Sequence, residues 1–236
     1  MGIGRALALE LAGVGVNLVL NARNETPLKE AAHQCRAAGV RVEYQVGDAA
    51  SAATCRHATE KAVRIGGFYG FVHAAGVVRP GPFLWELPVE HFHEIMAANI
   101  VAAYQVMRFA LPVLIEQGRG MVVFFGSGAA ELTIPGIGAY CVAKAAEEHL
   151  ARQLAVEAPS ITTFVYRPGM VETRLHEEAR EVRQGGAAEY LRREFKSYKE
   201  QGLLISAREA ASALVRLMQD NPGRFHGRVC SWTDAP

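Results

Sequence analysis

The chain has 236 residues, and 25 Lys and Arg against 24 Asp and Glu leave a formal net charge of +1. A balance this close to neutrality argues against a nucleic-acid binder held by bulk electrostatics. Half of the residues are hydrophobic, and 23 are glycine, which exceeds the usual share of about 7%. These values indicate one globular domain, or two at most, with a large core and many turns.

The cysteines and the hydropathy pattern indicate in which cellular compartment the protein is expected. Cys35, Cys55, Cys141 and Cys230 are widely separated and show no C-x-x-C spacing, so they indicate neither a disulfide framework nor a zinc site. Reduced thiols in a cytoplasmic protein are the simplest interpretation. No run reaches the ~18 apolar residues of a membrane span, so we expect no membrane partner.

Short β-branched runs alternate with longer helical patterns along the chain, which is typical of a parallel α/β sheet. Each run is a continuous apolar stretch, as expected for strands that are covered on both faces. The predicted fold is therefore a Rossmann-like, doubly wound parallel α/β sheet in a single domain. The predicted strands are residues 16–22, 41–46, 69–73, 121–125, 161–166 and 228–232.

Capping signals locate two of the helices between these strands. Thr26 followed by Pro27 predicts a helix with Thr26 as its N-cap and proline in the first turn. Ser206 with Glu209 predicts a capping box before an amphipathic helix. We expect these helices to be the crossovers between parallel strands.

Two segments depart from this alternation. Residues 89–117 form an unusually long helical pattern, which predicts two helices that meet around 97–99. Residues 176–201 are crowded with charge and show weak periodicity. A long charged insertion between a strand and the last helix predicts a mobile lid over residues 174–204, held only weakly by apolar burial.

A glycine pair precedes the first predicted helix. In Gly2-Ile3-Gly4, backbone N–H groups can approach a pyrophosphate at the helix N-terminus, where the helix dipole favours anions. The next strand ends at Ala22, at the position where a dinucleotide fold contacts the adenosine ribose. An acidic residue there would hold the 2′-OH of NAD, whereas Ala22 followed by Arg23 leaves space and charge for a 2′-phosphate. A solvated arginine at a strand end is the alternative interpretation.

Two further predicted strands end in small or acidic residues, at the edge where open α/β sheets bind ligands. Asp48 follows the second strand and can accept a hydrogen bond from an adenine amino group. A turn-forming Asp after glycine is an equally good interpretation. Ala74, Ala75 and Gly76 follow the third strand and allow a cofactor to lie close against the backbone.

The most specific constellation is Ser127, Tyr140 and Lys144. Tyr140 and Lys144 are four positions apart on a predicted helix, so they share a face. A phenol with a pKa of about 10 is a poor proton donor near neutrality, and a neighbouring cation lowers that pKa toward the working range. Ser127 follows the predicted strand 121–125, which should place its hydroxyl at the same sheet edge.

Through these motifs the chain resembles the short-chain dehydrogenase/reductase family over nearly its whole length. Gly2 and Gly4 match the last two glycines of the family's T-G-x-x-x-G-x-G fingerprint, and Asp48 matches its adenine-contacting Asp. The resemblance assigns the catalytic tetrad to Asn99, Ser127, Tyr140 and Lys144.

The resemblance also implies the cofactor contacts. Pro168-Gly169 followed by Thr173 matches the P-G-x-x-x-T segment that holds the nicotinamide carboxamide. NADP(H) is the implied preference, with NAD(H) possible. The other implied contacts are Ile3, Ala22, Arg23, Asn24, Ala74, Ala75, Gly76, Tyr140, Lys144 and Val171.

The implied reaction is hydride transfer between the nicotinamide and a carbonyl carbon. Tyr140 supplies the proton, Ser127 hydrogen-bonds the carbonyl oxygen, and Lys144 lowers the pKa of the phenol and binds the nicotinamide ribose. Asn99 is expected to kink the long helix pair and to position a water that relays protons to Lys144. The NADP preference favours reduction as the physiological direction.

The chain departs from the family pattern in three places, and at one of them Tyr166-Arg167 precede Pro168 where the family frequently has an Asn. Where the family usually has N-N-A-G, this chain has His73-Ala74-Ala75-Gly76, and the loss of two amides is expected to weaken hydrogen bonding between neighbouring strands. The family's first strand and the opening T-G of its fingerprint are absent, so the first βα unit is truncated at its N-terminus. We therefore expect about ten further residues upstream, forming a short apolar strand that ends in Thr-Gly.

The loops expected to line the site carry mostly apolar residues, which predicts a mainly apolar ketone or diketone as the small-molecule substrate. A 3-oxoacyl thioester or a steroid fits these residues as well, and the C-terminal tail is similar to the sepiapterin and benzil reductase branch. The expected substrate contacts are Phe83, Trp85, Ile134, Met170, Leu175 and His176.

Other functions and partners were weighed against this interpretation. A non-catalytic or cofactor-impaired dinucleotide sensor or scaffold of the same fold is the alternative, favoured by the missing N-terminal segment and opposed by the intact tetrad. His91 and His93 are two apart on a helix and diverge, so no metal site is expected. The resemblance implies a homodimer or homotetramer.

Overall fold

The strands observed in the structure lie close to their predicted positions. The structure is a computed structural model that describes residues 2–236, and Met1 lies outside the described range. Every observed strand pair is parallel, which confirms the α/β fold class. The strands found within residues 2–236 are β1 (Leu18–Ala22), β2 (Val42–Val46), β3 (Gly70–His73), β4 (Gly120–Phe125), β5 (Ile161–Arg167) and β6 (Val229–Ser231).

Helices connect successive strands and cover both faces of the sheet layer. The last α-helix of the chain begins with the predicted capping box, in which the Ser206 hydroxyl accepts a hydrogen bond from the Glu209 backbone N–H. The predicted N-cap at Thr26 is wrong, because the helix starts at Glu25 and Asn24 takes the cap position. The helices are α1 (Gly2–Gly13), α2 (Glu25–Arg36), α3 (Ala52–Ile65), α4 (Val89–Met96), α5 (Ala102–Gln117), α6 (Gly138–Glu157), α7 (Arg174–Glu181), α8 (Ala188–Glu200) and α9 (Ala207–Gln219).

The strands form two sheets, β1-β2 and β3-β4-β5-β6. Within residues 2–236 no strand lies between β1 and β3, so each of them has one edge without a strand partner. The side chains of Ile3 and Leu7 on α1 instead join the apolar cluster that includes Val72 of β3 and Ala74. The first helix also lies close to the residue that follows β3, since a Cβ on Gly4 would lie 3.5 Å from Ala74 Cβ.

β4 is the centre of the core, and its residues alternate between the two faces of the sheet. Val123 and Phe125 pack on one face, in the cluster that contains Leu214 of α9. Val122 and Phe124 pack on the other face, in the cluster formed with α5 and α6. All six β4 residues are buried, as expected for a parallel strand covered on both sides.

The long helical segment divides where the sequence predicts. A π-helical turn, Ala97–Val101, separates α4 from α5. The Asn99 side-chain amide donates to the Ile95 carbonyl over 2.8 Å, and such back-bonding to the preceding turn bends a helix. Taken as one helical segment, Val89–Gln117 has 29 residues and contains a window with a mean hydropathy of 1.5. By length and composition alone, this segment is long and apolar enough to cross a membrane. The core helix of a soluble protein meets the same criterion.

The segment predicted to be a lid forms α7 and α8 and does contribute to the core. Ala179, Leu191 and Phe195 are buried in the cluster that contains Tyr140. The expectation that apolar burial holds this segment only weakly is therefore wrong, because amphipathic helices present their few apolar residues on one face. Opening and closure of the lid stay a prediction.

Backbone contacts also join the lid to the loops that precede α4 and α6. Gly81 N–H donates to the Gly136 carbonyl, and Ala187 N–H donates to the Gly81 carbonyl, each over 2.9 Å. Gly185 has a φ of +98°, and a Cβ on it would lie 2.3 Å from the Gly81 carbonyl carbon. Only glycine allows this close approach. Three loops around the site are thereby held together.

The first prediction concerns the anchor of the lid. Leu191 is fully buried, so Leu191→Ala should weaken the attachment of α8 by about 2–5 kcal/mol through lost burial and a residual cavity. Amide hydrogen exchange should become faster across α8 and stay unchanged in β4. Leu203→Ala is the matched control, because Leu203 follows α8 and is 44% exposed. Equal exchange of α8 in both variants would show that Leu191 does not anchor the lid.

Candidate active site

The predicted tetrad residues come from three structural elements that meet beside the carboxyl end of β4. Ser127 follows the last residue of that strand by two positions. Tyr140 and Lys144 lie on α6, and Asn99 lies in the π-helical turn. Parallel pairing aligns the carboxyl ends of the strands, which explains why residues distant in sequence are gathered here.

Ser127 is held by the short helical turn that follows β4. Its hydroxyl oxygen accepts a hydrogen bond from Ala129 N–H over 3.2 Å, and its own N–H donates to Glu148 Oε1 over 3.3 Å. A hydroxyl that accepts through its oxygen still has its proton to donate. Ala129 packs in the same cluster as Tyr140. Ser127 therefore offers a hydroxyl donor on the side of the site where Tyr140 packs.

Lys144 is buried, with 4% of its surface exposed. Its ammonium nitrogen lies 5.8 Å from the centre of the Tyr140 ring, as the four-residue helical spacing predicts. It donates to the Phe125 carbonyl over 2.8 Å and to Glu147 Oε2 over 2.7 Å. An ammonium has three donors, so one remains for a ligand or a water.

A small polar space lies between Lys144 and Asn99. Both side-chain N–H groups of Asn99 are engaged, with the Val77 and Ile95 carbonyls, whereas its buried Oδ1 has no hydrogen-bond partner. A Cβ on Gly76 would lie 2.8 Å from Asn99 Oδ1 and 3.8 Å from Lys144 Nζ. Glycine thus keeps open a space bordered by a free acceptor and a free donor. These residues fit a bound ribose hydroxyl or a bridging water.

The start of α1 and the ends of β1 and β2 contain the other residues predicted to contact the cofactor. Gly2 begins α1 with a φ of +72° and open space around its missing side chain, and a Cβ on Gly4 would lie 3.5 Å from Ala74 Cβ. Arg23 is exposed directly after β1. Because glycines begin α1 and the neighbouring Ala74 is small, a phosphate can approach the N-terminus of the helix. The remaining predicted contacts of this edge are Ile3, partly buried against the core, Ala22, the last residue of β1, Asn24, at the start of α2, and Ala75, between β3 and Gly76.

Asp48 has the turn-forming role that was one of its two interpretations. Its Oδ1 accepts a hydrogen bond from Ala50 N–H over 2.8 Å. This bond closes a tight turn after β2. Contact with an adenine stays a prediction.

The P-G-x-x-x-T segment leads from β5 into α7. Gly169 has a φ of +80°, and a Cβ there would lie 2.6 Å from the Trp232 indole nitrogen. Val171 is buried and forms a parallel bridge with Ile205. Pro168 is buried, and Thr173 occupies the N-cap position of α7 without a side-chain cap bond. The segment therefore fixes where the lid begins.

Four of the six residues predicted to contact substrate fall into two groups. Ile134 and Leu175 pack against the cluster that contains Tyr140. Phe83 stacks on Trp85 with ring centres 4.9 Å apart, and Trp85 is 82% exposed. The first group lies beside the tetrad and the second at the loop that contacts the lid. The two others are Met170, whose carbonyl accepts from Ile205 N–H, and His176, whose ring lies 5.0 Å from that of Phe195.

The comparisons with known proteins decide the family. The model of the family described as short chain dehydrogenase matches residues 1–184. The chain belongs to the short-chain dehydrogenase/reductase family. That membership assigns it to the NAD(P)-dependent oxidoreductases and confirms the resemblance noted from the motifs.

Two relatives and two solved structures show how far the likeness extends. An uncharacterized oxidoreductase of Schizosaccharomyces pombe is 28% identical over 67% of this chain and 64% of that protein. The uncharacterized oxidoreductase YIR035C of Saccharomyces cerevisiae is 28% identical over 99% of this chain and 92% of its own length. Its crystal structure superposes with a TM-score of 0.88 over the same shares of the two chains. An alcohol dehydrogenase from Thermococcus sibiricus, complexed with 5-hydroxy-NADP, is 28% identical with a TM-score of 0.78, covering 98% of this chain and 91% of that one.

In this short-chain dehydrogenase, the buried partners of Lys144 were not predicted from the sequence. Glu147 is fully buried, and its Oε1 lies 2.6 Å from His73 Nδ1 while Oε2 pairs with Lys144. The His73 ring thus bonds to α6, a role that the sequence did not predict. Weaker hydrogen bonding between strands at this position stays a prediction. A signal was present in the sequence: Glu147 lies three residues after Lys144, on the same helical face.

A second buried carboxylate lies one position further along α6. Glu148 accepts two hydrogen bonds from Arg167, at 2.8 and 2.7 Å, and Arg167 also binds Glu131. The hydrogen bonds that Arg167 donates to Glu148 and Glu131 raise its pKa. The arginine that replaces the family's frequent Asn before Pro168 thus ties β5 to α6.

The second prediction concerns His176 in the lid. Burial lowers its pKa from 6.5 to about 4, with a smaller effect from the neighbouring Arg180. Because the unfolded chain binds this proton more readily, the free energy of unfolding should fall as the pH drops from 6.5 toward 4, by about 1–3 kcal/mol from this group. His176→Leu should reduce that fall in urea unfolding measured across this range.

The exposed His57 on α3 provides the control. His57→Leu should leave the acid dependence of the wild-type protein unchanged. If His176→Leu also leaves it unchanged, His176 titrates normally in the folded state.

Proposed function

We propose that the protein is an NADPH-dependent reductase that transfers hydride to the carbonyl carbon of a mainly apolar ketone or diketone, with Tyr140 as the proton donor. The observation that carries the proposal is the placement of the Lys144 ammonium, 5.8 Å from the Tyr140 ring centre and buried. A cation there stabilises the phenolate that remains after Tyr140 gives up its proton. A 3-oxoacyl thioester is the alternative substrate.

The nucleotide supplies the hydride when it is bound. Gly2 and Gly4 would hold its phosphates at the start of α1, and Gly76 would admit its ribose beside Asn99 and Lys144. The chain's own residues then do the rest of the chemistry. The Tyr140 hydroxyl donates its proton to the carbonyl oxygen, and the Ser127 hydroxyl donates a hydrogen bond to the same oxygen.

The apolar surroundings of Tyr140 support an apolar substrate. Tyr140 is packed among buried side chains of α6, α7 and α8, including Leu191 and Phe195. Such walls exclude water and strengthen the electrostatic effect of Lys144 on the reacting oxygen. Ile134 and Leu175 extend the same apolar wall. A ketone flanked by hydrocarbon groups suits this environment better than a charged substrate.

The third prediction tests the proton donor. Tyr140→Phe should lower kcat for ketone reduction by at least about 100-fold, because only the acidic proton is removed. NADPH binding, followed by cofactor fluorescence, should persist. Tyr69→Phe is the matched control, since Tyr69 is 52% exposed and precedes β3 at the opposite edge of the sheet; it should retain wild-type kcat.

The outcomes separate the proposal from its alternative. Substantial turnover by Tyr140→Phe would show that another group supplies the proton. NADPH binding by the wild-type protein without turnover of any ketone, diketone or 3-oxoacyl thioester would favour the dinucleotide sensor.

The fourth prediction tests the choice of nucleotide. Arg23 is exposed after β1 and no carboxylate occupies position 22, so its guanidinium can pair with a 2′-phosphate. Arg23→Ala should weaken NADPH binding by about 10- to 100-fold, as expected for loss of a charged hydrogen bond. NADH binding should change little.

Titration of both nucleotides into both proteins measures this difference. Arg41→Ala is the control, because Arg41 is also exposed but precedes β2 at the amino end of the strand. Equal affinities of the wild-type protein for NADH and NADPH would contradict the assigned role of Arg23.

A further inference from the structure

Three buried titratable side chains form a connected hydrogen-bonded group next to the predicted tetrad. His73, at the end of β3, is 4% exposed, Glu147 on α6 is fully buried, and Lys144 is 4% exposed. Each Glu147 oxygen has its own partner, His73 Nδ1 at 2.6 Å and Lys144 Nζ at 2.7 Å. These three residues are named the His73–Glu147–Lys144 network.

We propose that Glu147, oriented by His73, is a positioning residue that keeps the Lys144 ammonium charged and directed at the site of proton transfer. The inference rests on the proposed function, because it concerns the lysine that assists Tyr140. Neither Glu147 nor His73 faces the reacting atoms in this proposal. Both act through Lys144.

The geometry sets the direction of each hydrogen bond. A carboxylate can only accept, so the His73 ring donates from Nδ1 and the Lys144 ammonium donates from Nζ. The bond from His73 fixes the rotation of the Glu147 carboxylate, which directs its second oxygen at Lys144. The Phe125 carbonyl takes a second lysine proton over 2.8 Å. Two of the three ammonium donors are thereby held, and the third remains for a ligand or a water.

The balance of charge explains why the lysine stays protonated. Burial alone would lower the pKa of Lys144, but the charge of Glu147, with smaller effects from Tyr140 and Glu148, holds that pKa above its ordinary value. Burial alone would raise the pKa of Glu147, and the Lys144 charge and the His73 hydrogen bond keep it below its ordinary value. Each ion of the pair therefore depends on the other.

The other charged groups around the network are already paired. Glu148, the neighbouring carboxylate on α6, is held by Arg167 of β5. Among residues 2–236, His73 is the titratable residue of β3 that contacts Glu147, and the turn before α5 contributes the neutral amide of Asn99. Glu147 is thus the one carboxylate in the described chain that forms a direct ion pair with Lys144.

Removal of the negative charge of Glu147 should leave the effect of burial, which lowers the pKa of Lys144, without compensation. In Glu147→Gln the carboxamide keeps the shape of the side chain but no longer offsets the burial of the ammonium. Buried lysines without a counter-ion lose their proton at markedly lower pH than free lysine. Reduction should then be lost selectively at alkaline pH, where the neutral amine no longer stabilises the phenolate.

The experiment measures kcat/KM for ketone reduction between pH 6 and 9.5 in the wild-type protein and in Glu147→Gln. At pH 6 the two values should agree within about threefold, and by pH 9 the variant should be at least about tenfold lower, because its alkaline limb moves down to about pH 8, roughly two or more pH units below the ordinary lysine pKa of about 10.4. Glu157→Gln is the matched control, since it removes an exposed carboxylate at the end of the same helix. Its profile should overlay that of the wild-type protein.

A second readout does not depend on turnover. Both proteins are labelled with [ε-13C]lysine, and the Lys144 resonance, assigned with Lys144→Arg, is followed by NMR against pH. Its midpoint should fall by about one pH unit or more in Glu147→Gln. If no protein reduces any carbonyl but this midpoint falls, the proposed function fails while the role of Glu147 stands.

Other outcomes overturn the inference. A Glu147→Gln profile that lies below the wild-type profile by the same factor at every pH, with an unmoved Lys144 midpoint, would show a purely structural role. If Glu147→Gln does not fold, as judged by circular dichroism, His73→Asn serves instead, because it removes the ring that orients the carboxylate and leaves both ions. Its alkaline limb and Lys144 midpoint should shift in the same direction by a smaller amount, and unchanged values would contradict the proposal.

Discussion

The parallel pairing of β4 with β3 and β5 is the constraint on which the candidate site depends. This pairing places the carboxyl ends of three strands at one edge. Ser127 follows β4, Gly76 follows β3, and the segment that starts the lid follows β5. The Phe125 carbonyl at the end of β4 also accepts a proton from Lys144. A shift in strand register would therefore displace the serine and the lysine together.

Burial gives this arrangement its chemical effect and its energetic cost. A lysine and a glutamate removed from water lose hydration that only their mutual attraction and further hydrogen bonds can offset. Here the Phe125 carbonyl and the His73 ring provide those bonds. The same low-dielectric surroundings strengthen the influence of the ammonium on Tyr140. A buried ion pair of this kind is weak evidence for stability, which agrees with the positioning role proposed for Glu147.

The lid and the tetrad share one packed region. Leu191 and Phe195 of α8 contact the cluster that includes Tyr140, and the glycine contacts at Gly81 and Gly185 join the lid to the loop before α4. Movement of α7 and α8 would therefore remove apolar cover from Tyr140, the proposed proton donor. In the proposed reaction, water that reached the carbonyl oxygen would weaken its electrostatic stabilisation.

The sequence by itself determined the features that depend on local patterns. Apolar runs located the strands to within two residues, the capping box located the start of α9, and the spacing of Tyr140 and Lys144 placed both on one helical face. These signals are short-range, because periodicity and capping depend on residues only a few positions apart.

Only the tertiary structure decided which groups meet across distant parts of the chain. His73 and Glu147 are separated by 74 positions, and no local pattern pairs them. The few apolar residues of the lid segment are surrounded in the sequence by charged residues. The burial of Leu191 follows from the packing of α8 on the apolar cluster that contains Tyr140. Long-range contacts form where strand order and helix packing bring residues together, and a single sequence does not display that order. This is the physical reason why the spacing of Tyr140 and Lys144 could be recognised in the sequence, while the contacts of Lys144 and Glu147 with β3 and β4 could not.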